Sequence, residues 1–438
     1  MTSLDNSHRK YSISSIGNSE ADRIEFMVNN MHLNKAYLYA SKRVTTELDK
    51  KKLLDEYKNK FLHYRNGWRN IPAEAIKEKL YSEKFTNKKI EPLCIDLEVA
   101  SVCDLACPHC FRQYIATPDK LMSTDLAFRL IDQLAEQKVP SVKFNWRGEP
   151  LMNRNLPKII DYAKKNGVLE TIINTNATLL EGKYAEELMS SGLDLLIYSF
   201  DGGSKRTYDK LRVGRFKENK FENIVKNIEN FNKLKKHSGS IFPRTKIQMV
   251  LTKETYEEQE EYFSLFKGIV DDVSVKQYTE RGGDIKETDV GQNNIDKNKI
   301  YMKNFDGDLF VSQGRLPCEQ PFQRMLITYD GRVSMCCYDW GSMHPVGYVD
   351  KLAIETGDKE FEKVKKDADK NKKGFELMNL KIPEKFNEPD KKISTLEEIW
   401  HGKEINKVRE LHLKGKLEEV TICKKCPFKD TYDWKKVH

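Results

Sequence analysis

No apolar run in the 438 residues approaches the ~20 needed to cross a bilayer as a helix, so no membrane span is expected. The opening MTSLDNSHRKYSISS lacks the charged, then apolar, then small-residue order of a secretory signal, and the expected location is cytoplasmic. No fixed-period repeat of the solenoid type is present. Charge of one sign is scarce: 75 Lys+Arg against 67 Asp+Glu leaves +8, too little to demand nucleic acid as a partner. The basic residues before residue 93 are interleaved with Glu and Asp on helical sequence, which reads as a solvated face. With 39% hydrophobic and 10% aromatic residues the chain can bury a sizeable core, and its length calls for two or three domains.

Cysteine is not scarce. Nine cysteines, an odd number in a reducing compartment, suit metal ligation better than a disulfide framework, provided they cluster. Eight of them do. Cys103, Cys107 and Cys110 form C-x3-C-x2-C, and Cys318, Cys336, Cys337, Cys423 and Cys426 gather near the end, while Cys94 stands alone on an apolar run as a small buried hydrophobe. Residues 1–92 carry helix-period apolar positions and read as an N-terminal helical extension. From 93 to 300, six short apolar runs (LCIDLEV, SVKFNW, LETIINTN, LDLLIYSF, TKIQMVL, DVSVKQY) are separated by helical sequence. They predict an α/β fold, a partial (β/α)6 barrel with a parallel sheet. In 301–438, Asp330-Gly331 sits between two alternating runs and predicts a hairpin. The Lys/Asp/Glu-rich stretch at about 351–392 reads as a solvated insertion or, alternatively, a lid. Ser394 and Glu397 have capping-box spacing for a helix running through Trp400 and Val408.

Three thiols within eight residues can wrap a compact cluster. An iron–sulfur cube held by three cysteines keeps one iron open, whereas zinc would need a fourth donor such as the adjacent His109, and both readings stand at this point. Further motifs fall where successive strands end: Arg147-Gly148-Glu149-Pro150, Asn174-Thr175-Asn176 and Ser199-Phe200-Asp201-Gly202. Barrel loops build active sites at that end. With the cysteine loop, these elements resemble the radical S-adenosylmethionine (radical SAM) superfamily. The chain departs from its pattern at Arg147 and Ala177, where glycines are usual, and at His109, where an aromatic is usual.

The resemblance implies a 4Fe–4S cluster on Cys103, Cys107 and Cys110. It implies SAM held by Arg147, Gly148, Glu149, Pro150, Asn176, Ser199, Asp201 and Arg212. The C-x17-C and terminal C-x2-C spacing resembles the SPASM/Twitch domains, small α+β units that bind an auxiliary 4Fe–4S cluster. The implied ligands are Cys318, Cys336, Cys423 and Cys426, with structural zinc the other reading. Cys337 is then an alternate ligand, an inert thiol or a hydrogen donor, and Asp339 either an acid/base or a turn cap. The implied activity is oxidation of a substrate carbon, in a sugar or other small molecule rather than a peptide, with an electron donor such as flavodoxin or ferredoxin as partner. A peptide-modifying maturase or an epimerase is the alternative, and a non-catalytic zinc-binding nucleic-acid or scaffold protein is the rival from another class.

Overall fold

The computed structural model describes residues 12–113, 117–252, 254–277, 301–303, 309–370, 387–420, 422–424, 426, 428 and 431–437. Six parallel strands form its centre: β2 (Cys94–Leu97), β3 (Ser141–Lys143), β4 (Glu170–Thr175), β5 (Leu195–Ser199), β6 (Arg244–Leu251) and β7 (Asp272–Gln277). They lie side by side in chain order, as βα units with right-handed crossovers require. The linking helices follow from their sequence. In Thr124–Glu136, Leu126, Ala127, Leu130, Ile131 and Leu134 recur at helical spacing and are all buried, and the Ser123 side chain caps the first turn by accepting from the Leu126 N–H.

The N-terminal helices, dominated by Glu47–Glu78, close the barrel's N-terminal end. Met31, Tyr37, Tyr57, Phe61 and Tyr64 form a second core with Leu93, Leu169 and Phe242, which lie directly ahead of β2, β4 and β6. The Tyr64 hydroxyl donates to Glu170 at the foot of β4, at 2.8 Å. One element here is not helical: β1 (Ser12–Ser14) pairs antiparallel with β7 and covers the sheet's outer edge.

At the opposite edge β10 (Arg324–Ile327) pairs parallel with β2, and β11 (Arg332–Ser334) and β12 (Pro345–Tyr348) continue a single ten-stranded sheet. The expected hairpin joins β10 to β11, with Gly331 at φ +95°, a conformation that favours glycine. The barrel and the C-terminal segment thus share a sheet. A second, three-stranded sheet joins β8 (Tyr301–Lys303), β9 (Leu309–Arg315) and β13 (Tyr432–Val437).

Within the charged stretch, Lys351–Lys370 form a helix tied to the hairpin by a Tyr329 hydroxyl to Glu360 bond (2.6 Å), and 371–386 lie outside the described residues. The capping box lies one residue later than expected, on Thr395 and Glu398, and the helix stops at Trp400 before a second runs Lys403–Leu413. Ser394–Glu397 and Thr395–Glu398 have the same spacing. Burial decides between them: Leu396 is fully enclosed and its N–H donates to Gln133.

Candidate active site

Cys103, Cys107 and Cys110 lie in the loop after β2, held from two directions. The Ala106 N–H donates to the Val213 carbonyl and the Arg215 N–H to the Asp104 carbonyl, zipping the loop to the segment after helix Lys205–Leu211. Asp104, inside the loop, accepts from Asn176 Nδ2 (2.8 Å) and Thr178 Oγ1 (2.5 Å) beyond β4. All three cysteines line one cavity with about 1290 Å³ of empty space, its open mouth included. Burial pushes the Cys107 thiol up to about 11, with Arg212 beside it acting the other way.

The turn after β3 packs on this loop. Gly148 is there because nothing larger fits: a Cβ would lie 2.4 Å from the carbonyl oxygens of Ala100 and Val102. Glu149 donates its N–H to the Val102 carbonyl, and its buried carboxylate accepts from Thr175 Oγ1 (2.7 Å), the Asn176 N–H (2.8 Å) and the Leu151 N–H (3.0 Å). Burial and then the nearby Asp104 raise it to about 8 despite these donors. A carboxyl so placed favours a cationic group arriving beside it.

Arg147 lines the same cavity, but its guanidinium is bidentate to Glu98 (2.7 and 2.8 Å) and stacks on Trp146. Its side chain is spent on the protein. Pro150 opens the short turn that Glu149 caps and is buried. Asn176 is engaged by Asp104, Glu149 and Thr178. Ala177, in the usual glycine position, has φ +63°. Ser199 faces the cavity from the end of β5. Asp201 is fully enclosed, 2.6 Å from Arg212 and 3.1 Å from His109 Nε2; despite the cost of burial, the Arg212 guanidinium and then the hydrogen bond from His109 hold its carboxyl well below the usual range.

The second group meets elsewhere. Cys318, Cys336, Cys423 and Cys426 line a separate cavity with about 390 Å³ of empty space, together with Arg315, His412, Tyr338 and Phe428. Burial drives the Cys318 thiol up to about 12 and the Cys426 thiol up to about 11, and the Cys336 thiol is raised first by its hydrogen bond with Cys337 and then by burial. Cys337 is not among the lining residues; its carbonyl accepts from Trp146 Nε1 (2.8 Å), which lines the first cavity. Asp339 lines neither: it accepts from Ser334 Oγ, the Met343 N–H and the His344 N–H, closing a buried turn.

Sequence reading missed His412, Arg315, Lys143, Lys276, Trp146 and Trp340. The Cys318 N–H donates to His412 Nδ1 (3.1 Å), which leaves the ring proton on Nε2, 3.4 Å from Cys423 Sγ. Arg315 donates to the Cys423 carbonyl at 2.8 Å. Period-two alternation along KFN, with Lys143 and Asn145 on one face, is the signal that could have found the barrel-lining lysine.

Residues 97–266 match the model of the radical SAM superfamily, and residues 318–374 that of an iron–sulfur cluster-binding domain, SPASM. The chain thus carries a radical SAM domain over the first of these spans and a SPASM domain over the second. It is 34% identical over 134 residues to a probable GTP 3',8-cyclase of Methanococcus maripaludis, covering 30% of this chain and 44% of that protein. It is 36% identical over 147 residues to Fe-coproporphyrin III synthase of Methanosarcina barkeri, covering 32% and 36%. To mycofactocin maturase MftC of Mycolicibacterium smegmatis it is 26% identical over 183 residues, covering 42% and 44%. The chain thus spans less than half the length of these relatives. Among solved structures, Streptococcus suis SuiB bound to precursor peptide SuiA covers 84% of this chain and 72% of its own, at 14% identity and a TM-score of 0.47.

A 4Fe–4S cluster and SAM are the cofactors of the radical SAM domain, and the SPASM domain binds auxiliary iron–sulfur. The residues fit both. Among the described residues no three of His, Cys, Asp and Glu stand close enough to hold one metal ion, and each cysteine set lines a cavity. Zinc needs its donors around a single centre at about 2.3 Å, whereas a cluster takes each thiolate on a different iron. In the first cavity Asn174 Oδ1 and Arg212 Nε are buried without a partner, as groups awaiting a polar ligand would be. Among the described residues no helix is long and apolar enough to cross a membrane.

Proposed function

We propose that this radical SAM enzyme is an oxidoreductase that dehydrogenates a sugar or other small molecule. The reading is carried by the contrast in donors: three thiols share a roomy polar cavity, and four thiols close a smaller one. When bound, the first cluster and SAM would supply a carbon radical that takes a hydrogen atom from substrate, and the second cluster would take up the electron left behind while the accompanying proton passes to solvent. The protein's own part is placement. Cys103, Cys107 and Cys110 would hold the first cluster and leave one iron for SAM. Glu149, already oriented by three donors, would hold the ligand's ammonium. Arg212 would face its carboxylate, braced by Asp201.

Cys318, Cys336, Cys423 and Cys426 would saturate the second cluster, leaving it no position for substrate. The His412 Nε2–H aimed at Cys423 Sγ and the Arg315 cation beside the same residue favour added negative charge there, which suits an electron acceptor.

Cys423→Ala with Cys426→Ala is the test. The double variant is expected to keep cleaving SAM to 5'-deoxyadenosine while failing to release a product two hydrogens lighter than its substrate, followed by mass spectrometry in a metabolite extract. Wild-type-like product from that variant would refute the reading. Epimerisation is the second reading: the carbonyl of Cys337 meets Trp146 of the first cavity while its thiol lies against the Cys336 thiol, and it is the cysteine outside the proposed ligand set that could return a hydrogen atom. Its mark is an unchanged mass with solvent deuterium incorporated, lost in Cys337→Ala.

A further inference from the structure

Barrel interiors are ordinarily filled by layers of branched apolar side chains. Here β3 ends in Lys143 and β7 carries Lys276 near its end, and both line the first cavity. Lys143 makes no hydrogen bond or ion pair among the described residues. Its register neighbour on β2 is Asp96, and that carboxylate is already 3.2 Å from Arg324 of β10. The cations around Lys143 are Arg324 and Lys276, and Asp96 is the carboxylate they share. A half-buried ammonium among like charges is unfavourable, and burial first, with those cations adding to it, lowers its proton affinity although Asp96 opposes them. Such an arrangement persists where an anion completes it.

We propose that Lys143, with Lys276 of the same cavity, binds an oxyanion of the substrate, a phosphate or carboxylate group. The inference rests on the reading of this cavity as the site for SAM and substrate, and adds to it the chemical class of the substrate. Asn145 and Asn174, on the cavity wall beside Lys143, offer amide groups to the same ligand, and Asn174 Oδ1 has no protein partner. The SAM carboxylate has its own candidate cation, Arg212, at the mouth of β5 and beside Cys107. Two anion subsites are therefore expected, independent of each other.

The experiment is calorimetric titration of the cluster-loaded enzyme, saturated with SAM at low ionic strength, with inorganic pyrophosphate and separately with malonate. One site per chain is expected for at least one probe, with tighter pyrophosphate marking a phosphate subsite and tighter malonate a carboxylate subsite. Lys143→Met should weaken it by about tenfold or more, Lys276→Met should act in the same direction, and Lys143→Arg should stay within about threefold of wild type. Iron content and SAM affinity should not move in any of the three. Binding of neither probe, equal binding by wild type and Lys143→Met, or displacement of SAM by the probe would overturn the proposal. Failure of the radical reading would look different: no 5'-deoxyadenosine under reducing conditions, with anion binding intact.

Discussion

The two cysteine sites use the same ligand chemistry in opposite surroundings. The first lies in a loop after a barrel strand, opens into about 1290 Å³ and is walled by charged and amide groups. The second lies between a helix and a small sheet, has about 390 Å³ and is walled by four cysteines, apolar rings, His412 and Arg315. A site with three thiols and a polar annex can admit ligands to the metal. One whose thiols occupy every corner is confined to holding or passing charge. The contrast predicts that damage to the first abolishes the reaction at its start and damage to the second at its end.

The largest effect that would break this comparison concerns the first loop. Replacing Cys103, Cys107 and Cys110 together by alanine should remove about half of the iron and all SAM cleavage, read by iron analysis and 5'-deoxyadenosine formation under reducing conditions. Persistent cleavage would move the chemistry to the other site. Next comes Glu149→Gln. Removing the charge that faces the ligand's ammonium should weaken SAM binding by about tenfold or more without loss of iron, measured by titration of the cluster-loaded protein. Unchanged affinity would reduce this buried carboxylate to a cap for Leu151 and the Asn176 turn.

A subtler change sharpens the second half of the comparison. In His412→Phe the Nε2–H that faces Cys423 Sγ is lost while a ring of similar size remains. The midpoint potential of the auxiliary cluster should fall and that of the first cluster should stay where it is, read by redox titration with electron paramagnetic resonance. A merely structural His412 would change iron content or thermal stability instead. His412→Gln, which keeps an N–H donor, should recover part of the shift.

How much of this was written locally in the chain depends on sequence distance. The cysteine loop, Gly148-Glu149-Pro150 and the Asp330-Gly331 hairpin each span a few residues, so their spacing carries their geometry. The six parallel strands announce themselves by apolar runs. Arg147 could not be placed the same way: its partner Glu98 lies 49 residues earlier, just past the end of the neighbouring strand β2, and only the pairing of β2 with β3 brings them together. The same holds for His412, which reaches Cys318 across 94 residues, and for β1, whose three residues pair with β7 some 260 positions away and are too few to announce a strand by themselves. The capping box was legible in kind and ambiguous by one residue, because SerThr-x-GluGlu repeats the motif and only the burial of Leu396 breaks the tie.

The smallest effect concerns what the open site costs the fold. Lys246 on β6 is held down from an ordinary 10.5 to about 8, chiefly by burial and then by Arg23 and the cavity residue Lys276. Between about pH 8 and 10.5 the unfolded chain therefore binds more protons at this position than the native one, so native stability gains with rising pH across that window. Below pH 8 the full penalty is present, at most about 3.5 kcal/mol at ~1.4 kcal/mol per pH unit, and smaller where solvent reaches the side chain. Lys246→Met removes the charge at similar volume and should raise the melting temperature of the cluster-loaded protein at pH 7 by about 1–3 °C. The advantage should narrow at pH 9, as wild type sheds the proton. A gap that stays constant with pH would assign the gain to packing. A loss of stability would show that Asp272, the carboxylate opposite Lys246 in register, already neutralises it, and that the barrel's polar lumen carries no penalty at that strand.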